Sequence, residues 1–523
     1  MSISLPKELF IRGHKATDEQ YKIISAVASG VPRIVINAFA GSGKTSTLEG
    51  IANIFPSNAK ILYIAFNSSM SESAKKIFAK YSNVSVYTVH AFTRPHILQR
   101  GESLRKKNYT ASEISRILDV SKKEAYGILK SFEFFCNSRH GEVGDRVKDR
   151  ELVVELFDLM DRGDIEKTHS FYLKRFQLNL LNSLPMHLPE FDCVMLDEYQ
   201  DTNGVTQSIY ELLDAKQRVA VGDIYQNIYG FRHSLNRMDS AEGEHFYLTK
   251  SFRFGKEIAS LASSFLSNFR GETREIVGLG KKEKAHTAIS LSRTNAYLIN
   301  VAMKMISNKV FFKTIRDAEL IFSLPLNIAS ISEGGEPLSP QFKYLAWEYE
   351  DYEKDDDFDG SFAEYLKEVG KDNDDPELSF SGEMAERYRL RGLRGALAHI
   401  TKNNNSYEPC SYYLGTAHSS KGLEFDIVKI SDDFKDYFSI VAKWLAVSGT
   451  PIEAQDFLGT FIKEAKSGNV DKEIIEEINL FYVAITRASV KVFFEDEESV
   501  PVNKTRKEMN DIIRKKYYYF LHN

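Results

Sequence analysis

Phosphate chemistry is indicated by the segment AFAGSGKT, residues 38–45, which lies between a β-branched run and a helical pattern. Gly41 and Gly43 allow backbone amides to approach phosphate oxygens. Lys44 can neutralise β- and γ-phosphate charge, and the Thr45 hydroxyl can bind Mg²⁺. Ala38 replaces the first glycine of the strict pattern, but the strand–loop–helix order argues against a chance glycine-rich turn. Alone, the loop predicts only nucleoside-triphosphate binding and leaves kinases, GTPases and motors open.

An acidic pair follows another apolar strand in the segment LDEYQD, residues 196–201. Asp197 is expected to order the Mg²⁺ shell, and Glu198 is expected to polarise an attacking water. A solvated loop would explain such a pair equally well if it stood alone. Together with the loop at 38–45, the pair favours a phosphate site. Glu198 favours hydrolysis over transfer to a second substrate, because it is a base for water.

Three residues further along the chain are candidates for contact with the γ-phosphate. Gln226, in GDIYQNIYGFR at 222–232, can form a hydrogen bond with it. Arg253 and Arg487 lie in apolar surroundings, and we interpret them as arginine fingers that stabilise transition-state charge. A structural salt bridge is the simpler explanation of either arginine taken singly.

Aromatic residues next to a cation indicate a second kind of contact. Tyr229 and Phe231 alternate with polar residues and are followed by Arg232, an arrangement that suits stacking on unpaired bases. Burial of both rings in a core is the alternative. The basic, aromatic end of the chain, residues 505–523, could also touch nucleic acid, but its pattern predicts an amphipathic closing helix.

The elements that must position these residues are apolar strands alternating with helices. In the first half of the chain, strands are predicted at 33–37, 61–66, 84–90, 191–198 and 217–223. A second α/β pattern runs from Tyr247 to the end. This alternation predicts parallel sheets with helices on both faces.

Two stretches interrupt the α/β pattern. Residues 95–185 have a helical pattern, and 109–132 has the rhythm of a helix-turn-helix, which we interpret as two packed amphipathic helices rather than a duplex-reading element. Residues 348–377 carry 14 Asp or Glu against 3 Lys or Arg, which predicts a solvated face or a flexible insert. The acidic run 355–357 is interpreted as part of that solvated cluster, and no nuclease site is predicted.

Composition bounds the class of protein. The 523 residues predict about three or four structural units. The three cysteines lie far apart, which excludes a disulfide framework and favours a reducing compartment. No apolar run approaches the ~18 residues of a membrane span. Because the formal net charge is −5, any nucleic-acid binding must come from local patches.

Ten segments in a fixed order over residues 17–489 carry a resemblance to a known family. They are TDEQ with Gln20, AFAGSGKT, AFNSSMSESA, YTVHAF, DEYQDTN, GDIYQNIYGFR, SFRFGKEI, LSRTN, GTAHSSKGLEFD and LFYVAITRAS. In this order the chain resembles superfamily 1 DNA helicases of the UvrD/Rep/PcrA type. The segments AFAGSGKTSTL, YLTKSFRFG and GLEFDIVKISDDF look most like the motor of the F-box DNA helicase branch. We expect no upstream F-box, since the motor begins within about twenty residues of the start.

The resemblance implies two RecA-like parallel-sheet P-loop lobes with mostly helical inserted subdomains. The first lobe would comprise 1–94 and 186–246 with an insertion at 95–185. The second would comprise 247–309 and 411–523 with an acidic insertion at 310–410. In larger relatives the second insertion is bigger and contacts duplex, so its shortness here puts duplex engagement in doubt. The nucleotide would sit between the lobes and close them when bound.

The resemblance also implies roles for individual residues. Gln20 would read adenine, Phe252 would stack on the base and Glu424 would contact the ribose. The nucleotide-binding residues would be Gln20, Ala40, Gly41, Ser42, Gly43, Lys44, Thr45, Ser46, Phe252 and Glu424. The single-strand channel would be lined by Phe66, Asn67, His90, Phe92, Tyr229, Phe231, Arg232, Asn295 and His418. We expect about a third of these channel positions to be core or to lie behind the contact surface, since aromatic residues are mainly buried.

Family resemblance implies an ATP- and Mg²⁺-dependent DNA helicase or translocase. It would move 3′ to 5′ on single-stranded DNA and act at junctions between single and double strands, in repair, recombination or replication. The expected location is the cytoplasm, on the nucleoid in a bacterium or phage-infected cell, with no membrane association. A protein partner is possible. The competing hypotheses are an ATP-driven regulatory or defence module that gates a partner with little unwinding, and an RNA motor.

Overall fold

The computed structural model describes residues 5–98, 102–105, 108–145, 147–228, 238–281, 284–339, 342, 344–353, 358–372, 375–434, 436–453, 455–495 and 504–522. The chain divides into two compact units, Met1–Thr249 and Lys250–Asn523.

The first unit is built on one parallel sheet. Its strands are β1 (Phe10–Ile11), β2 (His14–Lys15), β3 (Arg33–Ala38), β4 (Ile61–Ala65), β5 (Val84–Thr88), β6 (Phe191–Leu196), β7 (Ala215–Gly222) and β8 (Glu244–Leu248). Its helices are α1 (Asp18–Ala28), α2 (Lys44–Ile54), α3 (Ser68–Phe78), α4 (Val89–Ile97), α5 (Ala111–Ile117), α6 (Lys122–Asn137), α7 (Arg150–Arg162), α8 (His169–Leu181) and α9 (Gly204–Leu212). The sheet has the order β5–β4–β6–β7–β3–β8 among the described residues, and β1 and β2 form a separate antiparallel pair.

Alternate residues of the central strands enter two different hydrophobic cores. On β3, Ile34 and Ile36 belong to one core and Val35 to the other. Since side chains alternate across a strand, both faces of this sheet are covered. The core that contains Val35 also contains Phe132 of α6 and Phe171 of α8, so the helical segment covers one face of the sheet.

The segment with the helix-turn-helix rhythm forms two short packed helices, α5 and α6. Each begins with a capping box, made by Thr110 with Glu113 and by Ser121 with Glu124. Ile114 of α5 and Ala125 of α6 are fully buried in the core that these helices share with the sheet. The pair therefore contributes packing to the first unit.

The second unit repeats the α/β architecture with a different strand order. Its strands are β9 (Lys250–Ser251), β10 (Val277–Gly278), β11 (Ala288–Ser292), β12 (Lys313–Thr314), β13 (Tyr412–Thr416), β14 (Phe425–Ile430) and β15 (Ala488–Phe494). Its helices are α10 (Lys256–Arg270), α11 (Asn295–Ser307), α12 (Ala318–Ser332), α13 (Leu345–Tyr352), α14 (Phe362–Asp372), α15 (Pro376–Asn404), α16 (Tyr437–Ser448), α17 (Phe457–Lys466), α18 (Lys472–Ile485) and α19 (Arg506–His522). Over the described residues, the main sheet has the parallel order β12–β13–β11–β14–β15.

Helices α11, α12, α14 and α15 share a core that also contains Leu414 of β13. Helix α15 bends at Arg389, whose φ of 56° and ψ of 169° are non-helical. The prediction of parallel α/β sheets with helices is confirmed in both units. The subdivision of each unit into a lobe and an insertion stays a prediction.

Two predicted strands end two residues earlier than the sequence indicated. The strand predicted at 84–90 ends at Thr88, because the side chain of Thr88 accepts a hydrogen bond from the Ala91 amide and begins α4. The strand predicted at 191–198 ends at Leu196. The predicted closing helix is present as α19.

None of the described helices combines the length and apolarity needed to cross a membrane. The thiols of Cys136, Cys193 and Cys410 are free. The acidic run 355–357 lies outside the described residues.

Candidate phosphate-binding site

The glycine-rich loop joins the end of β3 to the start of α2. Gly41 and Gly43 have φ of 71° and 83°, in the left-handed region that favours glycine. Inside the loop, the amide and the hydroxyl of Ser42 both donate to the Phe39 carbonyl, at 3.2 and 2.7 Å. Gly43 provides no side-chain cap for α2, so the first helical amides are suited to an anion. Lys44, Thr45 and Ser46 occupy that first turn. Ala40, at the start of the loop, is buried.

The lysine of the loop and the acidic pair after β6 meet at the same edge of the sheet. Lys44 Nζ lies 2.6 Å from Glu198 Oε2. Burial lowers the pKa of Lys44, but the charges of Glu198, Asp197 and Asp223 outweigh it and raise that pKa overall. Burial, followed by the charge of Glu198, raises the pKa of Asp197 to about 6. The site thus holds the Lys44 ammonium group beside the carboxylates of Glu198, Asp197 and Asp223.

Glu198 has a left-handed backbone, with φ of 50° and ψ of 46°. This conformation is uncommon for a residue with a side chain, and such strain is concentrated at functional sites. Its carboxylate accepts hydrogen bonds at Oε2 from both Lys44 and Gln200, the latter at 2.7 Å. Glu198, the candidate base, is therefore held in place by two hydrogen-bond donors.

Gln200 connects the ends of β6 and β7. Its Nε2 donates to Glu198, and its Oε1 accepts from the Asp223 amide at 3.0 Å. A Cβ on Gly222 would lie 2.0 Å from Gln200 Oε1, so this contact requires a glycine there. Gln226 joins the same network, because its Nε2 donates to Asp223 Oδ2 at 2.7 Å.

Gln20 lies one side chain away from the phosphate loop. Its Oε1 accepts from the Thr17 amide in a capping box, and its Nε2 donates to Thr47 Oγ1 at 3.2 Å. The hydroxyl of Thr47 in turn donates to the Gly43 carbonyl at 3.0 Å. Gln20 is thus linked to the loop, and it is 95% buried.

Three candidates of the second unit form a cluster of their own. Arg253 donates to Glu424 Oε2 at 3.0 Å and to the Thr486 carbonyl at 2.9 Å. Arg487 is buried, and its guanidinium donates to the carbonyls of Val483 and Leu423 at 3.0 and 3.4 Å.

Next to this cluster, the side chain of Phe252 is 47% exposed. An exposed ring is available for stacking, whereas the bonded Arg487 braces the junction between α18 and β15.

The channel candidates of the first unit occupy different environments. Asn67 is exposed and caps α3 through Oδ1, while Phe66 is half-buried just before it. His90 Nδ1 lies 2.9 Å from the Tyr172 hydroxyl. Phe92 is a core residue that packs edge-on against Phe176. Burial in the core was the alternative expectation for the aromatic residues among the channel candidates.

In the second unit, Asn295 begins α11 and donates its amide to Glu377 Oε2 at 2.9 Å. His418 lines a cavity of about 580 Å³ with Arg293, Trp444 and Glu477, and burial lowers its pKa to about 4. Tyr229, Phe231 and Arg232 lie outside the described residues. Asn295 and His418 follow the ends of the paired parallel strands β11 and β13, whose register places Ser292 opposite Thr416.

Two residues at the candidate phosphate site were assigned no role in the sequence analysis. Tyr63, on the apolar strand β4, donates to Asp197 Oδ2 at 2.5 Å, and its pattern indicated only core. Burial, followed by the charge of Asp197, raises the pKa of Tyr63 well above its usual value. Gln200 lies inside the acidic motif at 196–201, and its side-chain amide was the feature of the sequence that could have indicated a role at the site.

Two family models match the chain. The UvrD/REP helicase N-terminal domain matches residues 155–244, and the UvrD-like helicase C-terminal domain matches residues 371–496. Segments in both halves of the chain therefore match models of UvrD-like helicase domains, which confirms the resemblance seen in the motifs.

Among curated relatives, the chain is similar to F-box DNA helicase protein 1 of Schizosaccharomyces pombe, at 27% identity over 92% of this chain and 57% of that protein. It is equally similar to F-box DNA helicase 1 of Gallus gallus, at 27% identity over 91% of this chain and 48% of that protein. The ATP-dependent DNA helicase PcrA of Leuconostoc citreum is 26% identical over 47% of this chain and 39% of that protein. The chain spans about half the length of the two F-box relatives.

Proposed function

We propose that this protein is an ATP-dependent DNA helicase or translocase that moves 3′ to 5′ on single-stranded DNA. Its substrates would be single strands and junctions with duplex, in repair, recombination or replication. The site of action would be the cytoplasm, or the nucleoid of a bacterial host. The names of the F-box and PcrA relatives support the DNA helicase assignment.

The observation that carries the proposal is the contact between Lys44 and Glu198 at the end of the glycine-rich loop. The lysine is held where it can meet phosphate charge, and the glutamate is held where it can accept a proton from water. When a nucleotide binds, Lys44 would exchange its bond with Glu198 for phosphate oxygens. That exchange would release the Glu198 carboxylate toward the attacking water.

The side chains of this site suit Mg²⁺ shared with a nucleotide. Mg²⁺ usually keeps several waters and uses one or two protein oxygens together with substrate phosphates. Asp197 offers a carboxylate and Thr45 a hydroxyl. Among the described residues, no group of three or more His, Cys, Asp or Glu side chains could hold a metal ion. When bound, the ion would neutralise charge that develops on the phosphates.

Arg253, Arg487 and Gln226 are proposed to support hydrolysis by stabilising charge on the transferred phosphoryl group. Phe66, Asn67, His90, Asn295 and His418 are proposed to contact the single strand, with Tyr229, Phe231 and Arg232. Phe252, Gln20 and Glu424 are proposed to hold the adenosine. The buried position of Phe92 favours a supporting role behind the contact surface.

The test is ATP turnover by the purified chain, without nucleic acid, with single-stranded DNA and with RNA of matched sequence. Strong stimulation by DNA alone supports the proposal. Equal stimulation by RNA would instead favour an RNA motor. Turnover that responds to neither would contradict a DNA motor and favour a module gated by a partner.

A further inference from the structure

The hydroxyl of Tyr63 is a polar group placed inside an apolar core. Tyr63 lies on β4, is 1% exposed, and has its ring 5.1 Å from that of Phe78. The other residues of β4 are Ile61, Leu62, Ile64 and Ala65. A phenylalanine would satisfy the packing at this position equally well, whereas a tyrosine hydroxyl needs a buried hydrogen-bond partner.

That partner is the carboxylate of Asp197. Strands β4 and β6 are parallel neighbours, with Tyr63 opposite Met195, two residues before Asp197. The Tyr63 hydroxyl donates to Oδ2 at 2.5 Å, while Oδ1 accepts from the Glu198 amide at 2.9 Å. Both oxygens of Asp197 therefore have a donor, and the orientation of the carboxylate is fixed from two sides.

We propose that Tyr63 is a positioning residue that orients Asp197 for the Mg²⁺ bound with the nucleotide. The inference rests on the proposed function, in which Asp197 serves that ion. A hydroxyl bonded to a carboxylate makes a short, charge-assisted contact that restricts the rotation of the carboxylate. Partners behind metal ligands commonly change metal affinity by about 10–100-fold when they are removed.

The experiment compares the wild type with Tyr63→Phe, which deletes the hydroxyl and keeps the ring. Binding of a fluorescent, non-hydrolysable ATP analogue is measured in a Mg²⁺ titration and again in EDTA. In the variant, the Mg²⁺ concentration for half-maximal binding should rise by about 10-fold. Binding in EDTA should be unchanged, since Tyr63 acts through the carboxylate and not on the nucleotide.

The matched control is Tyr109→Phe, which also removes a hydroxyl from a buried tyrosine. Tyr109 donates to the Glu166 carbonyl at 3.0 Å, in the helical segment. This variant should lose stability without a change in the Mg²⁺ requirement. An unchanged Mg²⁺ requirement in Tyr63→Phe, with a lowered melting temperature, would overturn the inference and make the hydroxyl purely structural.

A substitute for Tyr63→Phe and a comparison with the wild type keep the test decisive. If Tyr63→Phe does not fold, 3-fluorotyrosine incorporated at position 63 keeps the shape and makes the hydroxyl more acidic. A changed Mg²⁺ requirement then supports the inference, and an unchanged one overturns it. Failure of the wild type to bind nucleotide with or without Mg²⁺ would reject the proposed function itself. Mg²⁺-dependent binding that is identical in Tyr63→Phe would reject the inference alone.

Discussion

At the scale of single residues, Glu198 is the side chain whose replacement should separate nucleotide binding from hydrolysis. Glutamine at this position keeps the size of the side chain but removes its capacity to accept a proton from water. Glu198→Gln should therefore lower ATP turnover by roughly 100-fold or more while it still binds ATP. Rapid-quench hydrolysis and fluorescent-nucleotide binding measure the two properties separately.

The control is Glu211→Gln, because Glu211 is also paired with a basic side chain, Arg139, in the first unit. It should leave turnover unchanged. Loss of nucleotide binding in Glu198→Gln would assign that residue a structural role and contradict its catalytic assignment.

His90 predicts a pH dependence of stability. Burial, followed by the charge of His169, lowers the pKa of His90 to about 4. An unfolded histidine titrates near pH ~6.5, so between this pH and about 4 the unfolded chain binds more protons than the native chain. The stability contribution of the neutral ring is therefore lost as the pH falls through that window.

Replacing His90 with glutamine should reduce the loss of unfolding free energy between pH 7 and 5 by roughly 2 kcal/mol. Urea denaturation followed by circular dichroism at both pH values measures this difference. An identical pH dependence in the variant and the wild type would show that the native fold does not lower the pKa of the His90 ring.

At the scale of elements, the approach of Gln200 to the end of β7 depends on Gly222. The Cβ of alanine there would lie 2.0 Å from Gln200 Oε1 and 2.9 Å from Met238 Sδ. Gln200 must then move away from Glu198 and from the Asp223 amide. Gly222→Ala should lower ATP turnover by roughly 100-fold, since misplacement of about 1 Å has such effects on catalysis.

Gly127→Ala is the matched control, because an alanine Cβ at this position in α6 meets nothing within 4 Å. It should raise stability by about 0.5–1 kcal/mol, through its helix propensity, and leave turnover unaltered. Melting curves and turnover assays on both variants test the comparison. Wild-type turnover in Gly222→Ala would show that the bridge through Gln200 is dispensable.

Elements that depend on local spacing were predictable from sequence, whereas contacts between strands were not. The loop at 38–45 places Lys44 at the start of a helix, because glycine conformations and helix periodicity are local properties. The contact of Tyr63 with Asp197 depends on β4 lying beside β6, an order that hydrophobic patterns do not specify. The early end of β5 depends on a single capping side chain, Thr88, within an apolar run that also suits a strand.

At the scale of the whole molecule, the chain combines two α/β units with a formal net charge of −5. General attraction to polyanions therefore cannot explain the proposed DNA binding, and any affinity must come from particular surfaces. The matched family domains lie in both halves of the chain. The proposed motor activity must be tested with the entire chain, since either unit alone lacks part of the motif set.

The direction of movement gives the most stringent test of the whole protein. With ATP and Mg²⁺, the chain should separate a duplex that carries a 3′ single-stranded tail and leave the matched 5′-tailed and blunt duplexes paired. A single strand has chemically distinct ends, so a motor that tracks its backbone can engage only one of the two tailed substrates productively. Gel separation of labelled strands measures the products. Lys44→Ala should lose hydrolysis, because it loses the charge that neutralises phosphate, and it shows whether strand separation requires turnover.

Preference for the 5′ tail would reverse the assigned polarity. DNA-stimulated turnover without strand separation from either tail would identify a translocase whose unwinding requires a partner.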